Sequence, residues 1–257
     1  MKQYSSIDKN FHKKKELITD KGQVKFNNQK SSIVDAKGRK KSSQKWISRQ
    51  INDPYANAAK IEGYLARSAY KLIEIQKKYN IFEKKVKTIL DLGCSPGSWS
   101  QVILTTKGFE GKSVIGIDLL PVKFNHPNLH FIQGDFEYKE TQKLIIEQIK
   151  QISSNNANVK SKKSKPCVDC IICDIALNNI GNAEIDRIRS ERIIELALWF
   201  AKKYLAVGGN FVCKAIKGAD NAVFDDIKQA FRFAYRFKPQ SSRKDSSEMF
   251  LIGISKK

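Results

Sequence analysis

The stretch Asp91-Leu92-Gly93-Cys94-Ser95-Pro96-Gly97-Ser98-Trp99 decides the fold. Val86-Lys87-Thr88-Ile89-Leu90 precedes it, so the segment reads as an apolar strand closing on an acid. Gly93 and Pro96-Gly97 then make a turn, and a helix is expected from Ser98 to about Thr106. Outward from this unit the same alternation repeats. Further strands are expected at 113–118, 129–133, 168–174, 210–216, 232–237 and 247–255. The fourth is apolar along nearly its whole length, as a strand buried on both faces should be. Helices are expected at about 139–151, 187–206 and 221–231, the second of these stopping at Gly208-Gly209. Strands that alternate with helices imply a parallel, doubly wound sheet with helices on both faces. The last two strands are joined only by Pro239 to Ser246, too short for a crossover, so the closing strand must run antiparallel. The fold class expected is α/β, a Rossmann-like seven-stranded sheet.

In such a sheet ligands bind outside the carboxyl ends of the strands. Gly93 and Gly97 let a ligand approach the backbone there, beside Pro96 and Trp99. The second strand ends in Asp118, 25 residues after Gly93, where an acid can accept from both hydroxyls of an adenosine ribose. The third ends in Gly134-Asp135, placed to accept from an adenine amino group. A dinucleotide requires G-x-G-x-x-G because its pyrophosphate lies on the helix N-terminus. The spacing here is Gly93-x-x-x-Gly97, which suits a cofactor without phosphate, S-adenosyl-L-methionine. Its expected contacts are Gly93, Pro96, Gly97, Trp99, Asp118, Asp135 and Asp174.

Before the sheet, Asp53-Pro54 reads as a cap followed by the first position of a helix running from Tyr55 to about Leu65. A second helix is expected from Ser68 to about Tyr79. Residues 152–166 are polar and Lys-rich and read as a surface loop. The chain has 257 residues, 47 Lys and Arg, 26 Asp and Glu, and a net charge of +21. Residues 1–45 hold 13 of the basic residues against 4 acids, with no helical or alternating period. They read as a disordered basic arm before one domain at 46–257. So large a positive excess points to a polyanionic partner. No run approaches the roughly 18 apolar residues of a membrane span, and no membrane partner is expected. Five Cys, an odd number, argue against a disulfide scaffold and for a reducing compartment, the cytoplasm. Cys167-x-x-Cys170-x-x-Cys173 resembles a metal clip, but residues three apart on a strand point to opposite faces, so no metal is expected.

Six ordered motifs carry a resemblance. They are Arg67-Ser68-Ala69-Tyr70-Lys71-Leu72, the glycine turn with Trp99-Ser100-Gln101, Asp118-Leu119-Leu120-Pro121, Gly134-Asp135-Phe136, Asp174-Ile175-Ala176 and Phe211-Val212-Cys213-Lys214. Together they resemble the FtsJ-type ribose 2′-O-methyltransferases over about residues 46–257. The stretch from Trp46 to Tyr64 is more similar to the bacterial large-subunit rRNA branch than to the tRNA or mRNA-cap branches. The resemblance implies S-adenosylmethionine-dependent methylation of an RNA ribose, with a uridine of large-subunit rRNA as target. It further implies the large ribosomal subunit as partner, and the protein is expected to act as a monomer. It places a catalytic Lys-Asp-Lys-Glu set at Lys71, Asp174, Lys214 and Glu248. Strand order makes this set sensible on its own, because Asp174 and Lys214 end parallel strands and Glu248 begins an antiparallel one, which brings all three to one rim. Lys214 is expected to be the principal catalytic group. Leu177 stands where the family has proline, which makes the loop after the fourth strand less rigid. The other readings are a tRNA or cap enzyme, and a non-catalytic ribosome assembly factor on the same fold.

Overall fold

A computed structural model describes residues 52–155, 166–177 and 180–257. The expected basic arm at 1–45 and most of the expected loop at 152–166 lie outside these residues. Helix α1, Pro54–Glu62, is capped by Asp53, whose carboxylate accepts from the backbone N–H groups of Tyr55 and Ala56. It stops earlier than expected because Gly63 takes a left-handed conformation, with φ +81°. Helix α2, Ser68–Tyr79, presents Ala69, Leu72 and Ile75 to the core.

The strands are β1 (Thr88–Leu92), β2 (Ser113–Asp118), β3 (Leu129–Gln133), β4 (Val168–Cys173), β5 (Leu205–Ile216), β6 (Phe231–Phe237) and β7 (Glu248–Lys256). Between them run α3 (Ser98–Thr105), α4 (Lys139–Asn155), α5 (Ala183–Tyr204) and α6 (Ala219–Ala230). They form one sheet in the order β3-β2-β1-β4-β5-β7-β6. Strands β1 to β5 are mutually parallel. The expected antiparallel strand is β7, and it is inserted between β5 and β6 and paired with both. Strand order reverses between β1 and β4, which fixes where a ligand cleft opens.

The period-two alternation of each buried strand divides its side chains between two cores. Leu90, Leu92, Ile171, Cys173, Phe211 and Cys213 pack with residues of α4, α5 and α6. Ile89, Cys170, Ile172 and Val212 pack with α2 and α3. Cys170 and Cys173 thus enter opposite cores and Cys167 is exposed, so the three thiols do not converge.

Helix α5 begins four residues before the expected 187, because Asn182 caps it by accepting from the N–H groups of Glu184 and Ile185. It also ends earlier. Gly208-Gly209 does not stop a helix but lies inside β5. There Val168 pairs with Leu205 and Cys170 with Asn210, so the β5 side carries extra residues. Gly208, at φ +77°, supplies the backbone that such a bulge needs. Helix α4 runs on to Asn155, through the start of the stretch expected to be loop.

Candidate active site

The turn after β1 is held by its own backbone. The N–H groups of Gly93 and Cys94 donate to the carbonyl of Ile117 on β2, and that of Asp174 donates to Leu92. Gly93, at φ +78°, is also an approach point, since a Cβ there would lie 2.7 Å from backbone atoms of Ile175. Gly97 caps α3 with no side-chain bond to the helix, which leaves N–H groups at its N-terminus without a side-chain acceptor. The three residues that follow Ser98 each have a separate partner. The Trp99 indole N–H donates to the Ser68 carbonyl at 2.8 Å, the Ser100 hydroxyl donates to Asp91 at 2.7 Å, and the Gln101 amide bonds Gly63 and Leu65. Trp99, expected at the cofactor, has its ring in the core against Phe250. Its side chain therefore positions helices, and only its backbone stands at the turn.

Asp118, at the end of β2, accepts from the N–H groups of Ser95 and Leu120, which aims its carboxylate across the glycine turn. Asp135 accepts from the N–H of Glu137 and faces the same edge from beyond β3. Asp91 is a group that sequence reasoning passed over. It is fully buried, one carboxylate oxygen takes the Ser100 bond, and the other has no hydrogen-bond partner. Burial pushes its pKa up to about 7, with Asp174 and Asp118 adding repulsion and Ser100 opposing. The signal was present as an acid in an otherwise apolar strand.

The four expected catalytic residues come together as two ion pairs. Lys71 on α2 reaches both oxygens of Glu248, at 2.8 and 2.9 Å. Lys214 on β5 lies 3.0 Å from Asp174 Oδ1 and donates to the Asp174 carbonyl at 2.8 Å. All four side chains are between 11% and 18% exposed, enclosed enough to be ordered yet reachable from the rim. Burial alone would raise Glu248. The charge and hydrogen bond of Lys71, the Ser242 hydroxyl and the charge of Lys214 together hold it below the usual carboxylate range. Lys214 and Glu248 border a pocket walled by Ile175, Leu177, Ile193 and Ser190, and Leu177 takes its place there as an apolar wall. Among the described residues no cluster of His, Cys, Asp and Glu could hold a metal ion, and no helix is long and apolar enough to cross a membrane.

A sheet that reverses between β1 and β4, takes β7 as an antiparallel insert and brings two lysine–carboxylate pairs to one rim is built as a Rossmann-like methyltransferase. The chain belongs to the FtsJ-like methyltransferase family, which matches residues 64–256. Among its relatives is a ribosomal RNA large subunit methyltransferase E from Rickettsia bellii, 37% identical over 237 residues, covering 90% of this chain and 97% of that protein. The protein of the same name from Rickettsia felis is 35% identical over equal coverage. A solved ribosomal RNA methyltransferase structure from Plasmodium falciparum aligns with a TM-score of 0.61 at 32% identity, covering 75% of this chain and 98% of that one.

Proposed function

We propose that the protein methylates the 2′-hydroxyl of a ribose in large-subunit ribosomal RNA, a uridine, with S-adenosylmethionine as donor and the ribosomal subunit as substrate. The observation that carries this reading is the pair of lysine–carboxylate contacts gathered at the rim where the glycine turn opens. The names of the relatives supply the RNA and the subunit.

The residues present fit the cofactor. The N-terminus of α3 offers N–H groups and a positive dipole end to the carboxylate of an amino-acid tail. Gly93 and Gly97 let the turn close tightly against Ile175 and Phe124, Asp118 suits ribose hydroxyls, and Asp135 suits an amino donor. When bound, S-adenosylmethionine supplies an electrophilic methyl carbon. What this chain does is bind, orient and carry charge. An ammonium has three donor hydrogens; the Asp174 carbonyl accepts one of those on Lys214, and the Asp174 carboxylate pairs with its charge from 3.0 Å. A remaining hydrogen can be aimed at the 2′-oxygen, holding it in line for transfer. Each lysine faces a carboxylate, so the arrangement favours Lys214 as an orienting donor. Glu248 holds Lys71 beside it, and the proton that the hydroxyl loses as the new O–C bond forms leaves to a rim carboxylate or to water.

The test is transfer of labelled methyl from the cofactor to large ribosomal subunits. Wild type is expected to label the RNA, and Lys214→Ala to lose at least about a hundredfold in rate while still binding S-adenosylhomocysteine. Absence of label with wild type, or equal rates for the two proteins, would sink the assignment.

A further inference from the structure

The chain between β6 and β7 is more than a connection. Its backbone is gripped from two sides. The Glu74 carboxylate on α2 accepts from the N–H of Gln240 at 2.6 Å and from that of Ser241 at 2.8 Å. Arg67, just before α2, donates to the Ser241 carbonyl and is itself paired with Asp53, the cap of α1. Asp53 also faces Arg243 at 3.4 Å. Asp53, Ser241 and Ser242 are all buried. The result is that Ser242 points its hydroxyl at Glu248 and donates to Oε1 at 2.8 Å. The same oxygen meets Lys71 at 2.8 Å. One carboxylate thus receives a fixed neutral donor from one side and an ammonium from the other.

A glutamate has three torsions, and an ion pair to a flexible lysine does not by itself select one rotamer. A hydroxyl fixed by a clamped backbone does. We propose that Ser242 is a positioning residue of the catalytic rim: held by the grip of Glu74 and of the Asp53–Arg67 pair, it sets the orientation of Glu248 and, through it, of Lys71. This rests on the function proposed above and adds a residue to it. The arrangement makes α1 and the start of α2 part of the catalytic apparatus, because they hold the serine that holds the glutamate.

The test compares wild type with Ser242→Ala and Ser242→Thr, each as the full chain. The first readout is the carboxyl titration of Glu248, followed by NMR on glutamate-labelled protein. The charged groups that face Glu248 are Lys71 on α2, Lys214 on β5 and Arg67. All of them persist in the variant, so any change reports the lost hydroxyl. The Glu248 midpoint is expected to rise in Ser242→Ala and to return in Ser242→Thr. The second readout is methyl transfer, where Ser242→Ala should lose about fivefold in kcat, as for one hydrogen bond, with KM for the subunit unchanged. The acid limb of its pH profile should move to higher pH. A Glu248 titration curve in Ser242→Ala that superimposes on wild type overturns the proposal whatever the activity. Absence of transfer by wild type overturns the proposed function instead, and the titration still decides the role of Ser242.

Discussion

At the scale of single residues, the site places buried charge where it can be matched, with one exception. Lys71, Glu248, Lys214 and Asp174 match one another, whereas Asp91 sits fully buried with only Ser100 as donor. Its pKa is raised from 3.8 to about 7, so the folded state favours the protonated carboxyl. Its contribution to stability is full below the unfolded value and is lost as pH rises through the folded one. In Asp91→Asn that dependence disappears. Thermal unfolding between pH 4 and pH 8 should show the variant gaining on wild type as pH rises. A constant difference across that range would mean that Asp91 is ionised throughout. That the four residues proposed as catalytic would meet was legible in the sequence, because their motifs survive in order and strand ends place three of them on one edge. Ser242 was not legible. It is one of several serines near Glu248, and only the folded loop between β6 and β7 shows which of them turns toward the carboxylate.

At the scale of elements, α2 is the piece whose placement matters most, because it brings Lys71 to a rim otherwise made by strand ends. It is tied to α3 by the Trp99–Ser68 bond and the contact of Ser68 with Ser98, and to the β6–β7 connection by Glu74. Trp99→Phe keeps a large ring against Phe250 and removes the indole donor. We expect a loss of about 1 kcal/mol in urea unfolding, the cost of leaving a part-buried carbonyl short of a partner. The fall in kcat should be larger than any change in cofactor affinity, since Lys71 moves with α2 while the glycine turn does not. Sequence periodicity placed this helix well, and it placed the βα turn well, because apolar spacing and glycine are local signals. It misplaced the boundary between α5 and β5. Two adjacent glycines read as a helix stop, and what they serve is a bulge in a strand pairing, a feature that exists only once β4 lies alongside.

At the scale of the whole molecule, charge is the property that reaches beyond the site. The 13 basic residues of 1–45 are expected to serve as phosphate contacts that add affinity without reading sequence. Removing residues 1–45 should raise KM for the ribosomal subunit, flatten the dependence of binding on salt and leave kcat near wild type. A deletion that lowers kcat at saturating subunit would instead tie those residues to catalysis. The sheet was legible as mostly parallel with an antiparallel close, since the short final connection allows nothing else. The position of β7 between β5 and β6 was not, because loop length sets direction and leaves neighbour order open.

That insertion has a consequence for how the molecule assembles. Strand β6 touches the sheet only through β7, so it cannot join before β7 does. The two must dock as a hairpin, or β7 must come first, and either way sheet growth on this side is ordered. Glu248 is the first residue of β7 and Ser242 lies in the hairpin's connection. The glycine turn and the Lys214–Asp174 pair belong to strands that can already be in place. Folding would then complete the Lys71–Glu248 contact after the Lys214–Asp174 contact, and local opening of the hairpin would break the first of these while leaving the second in place.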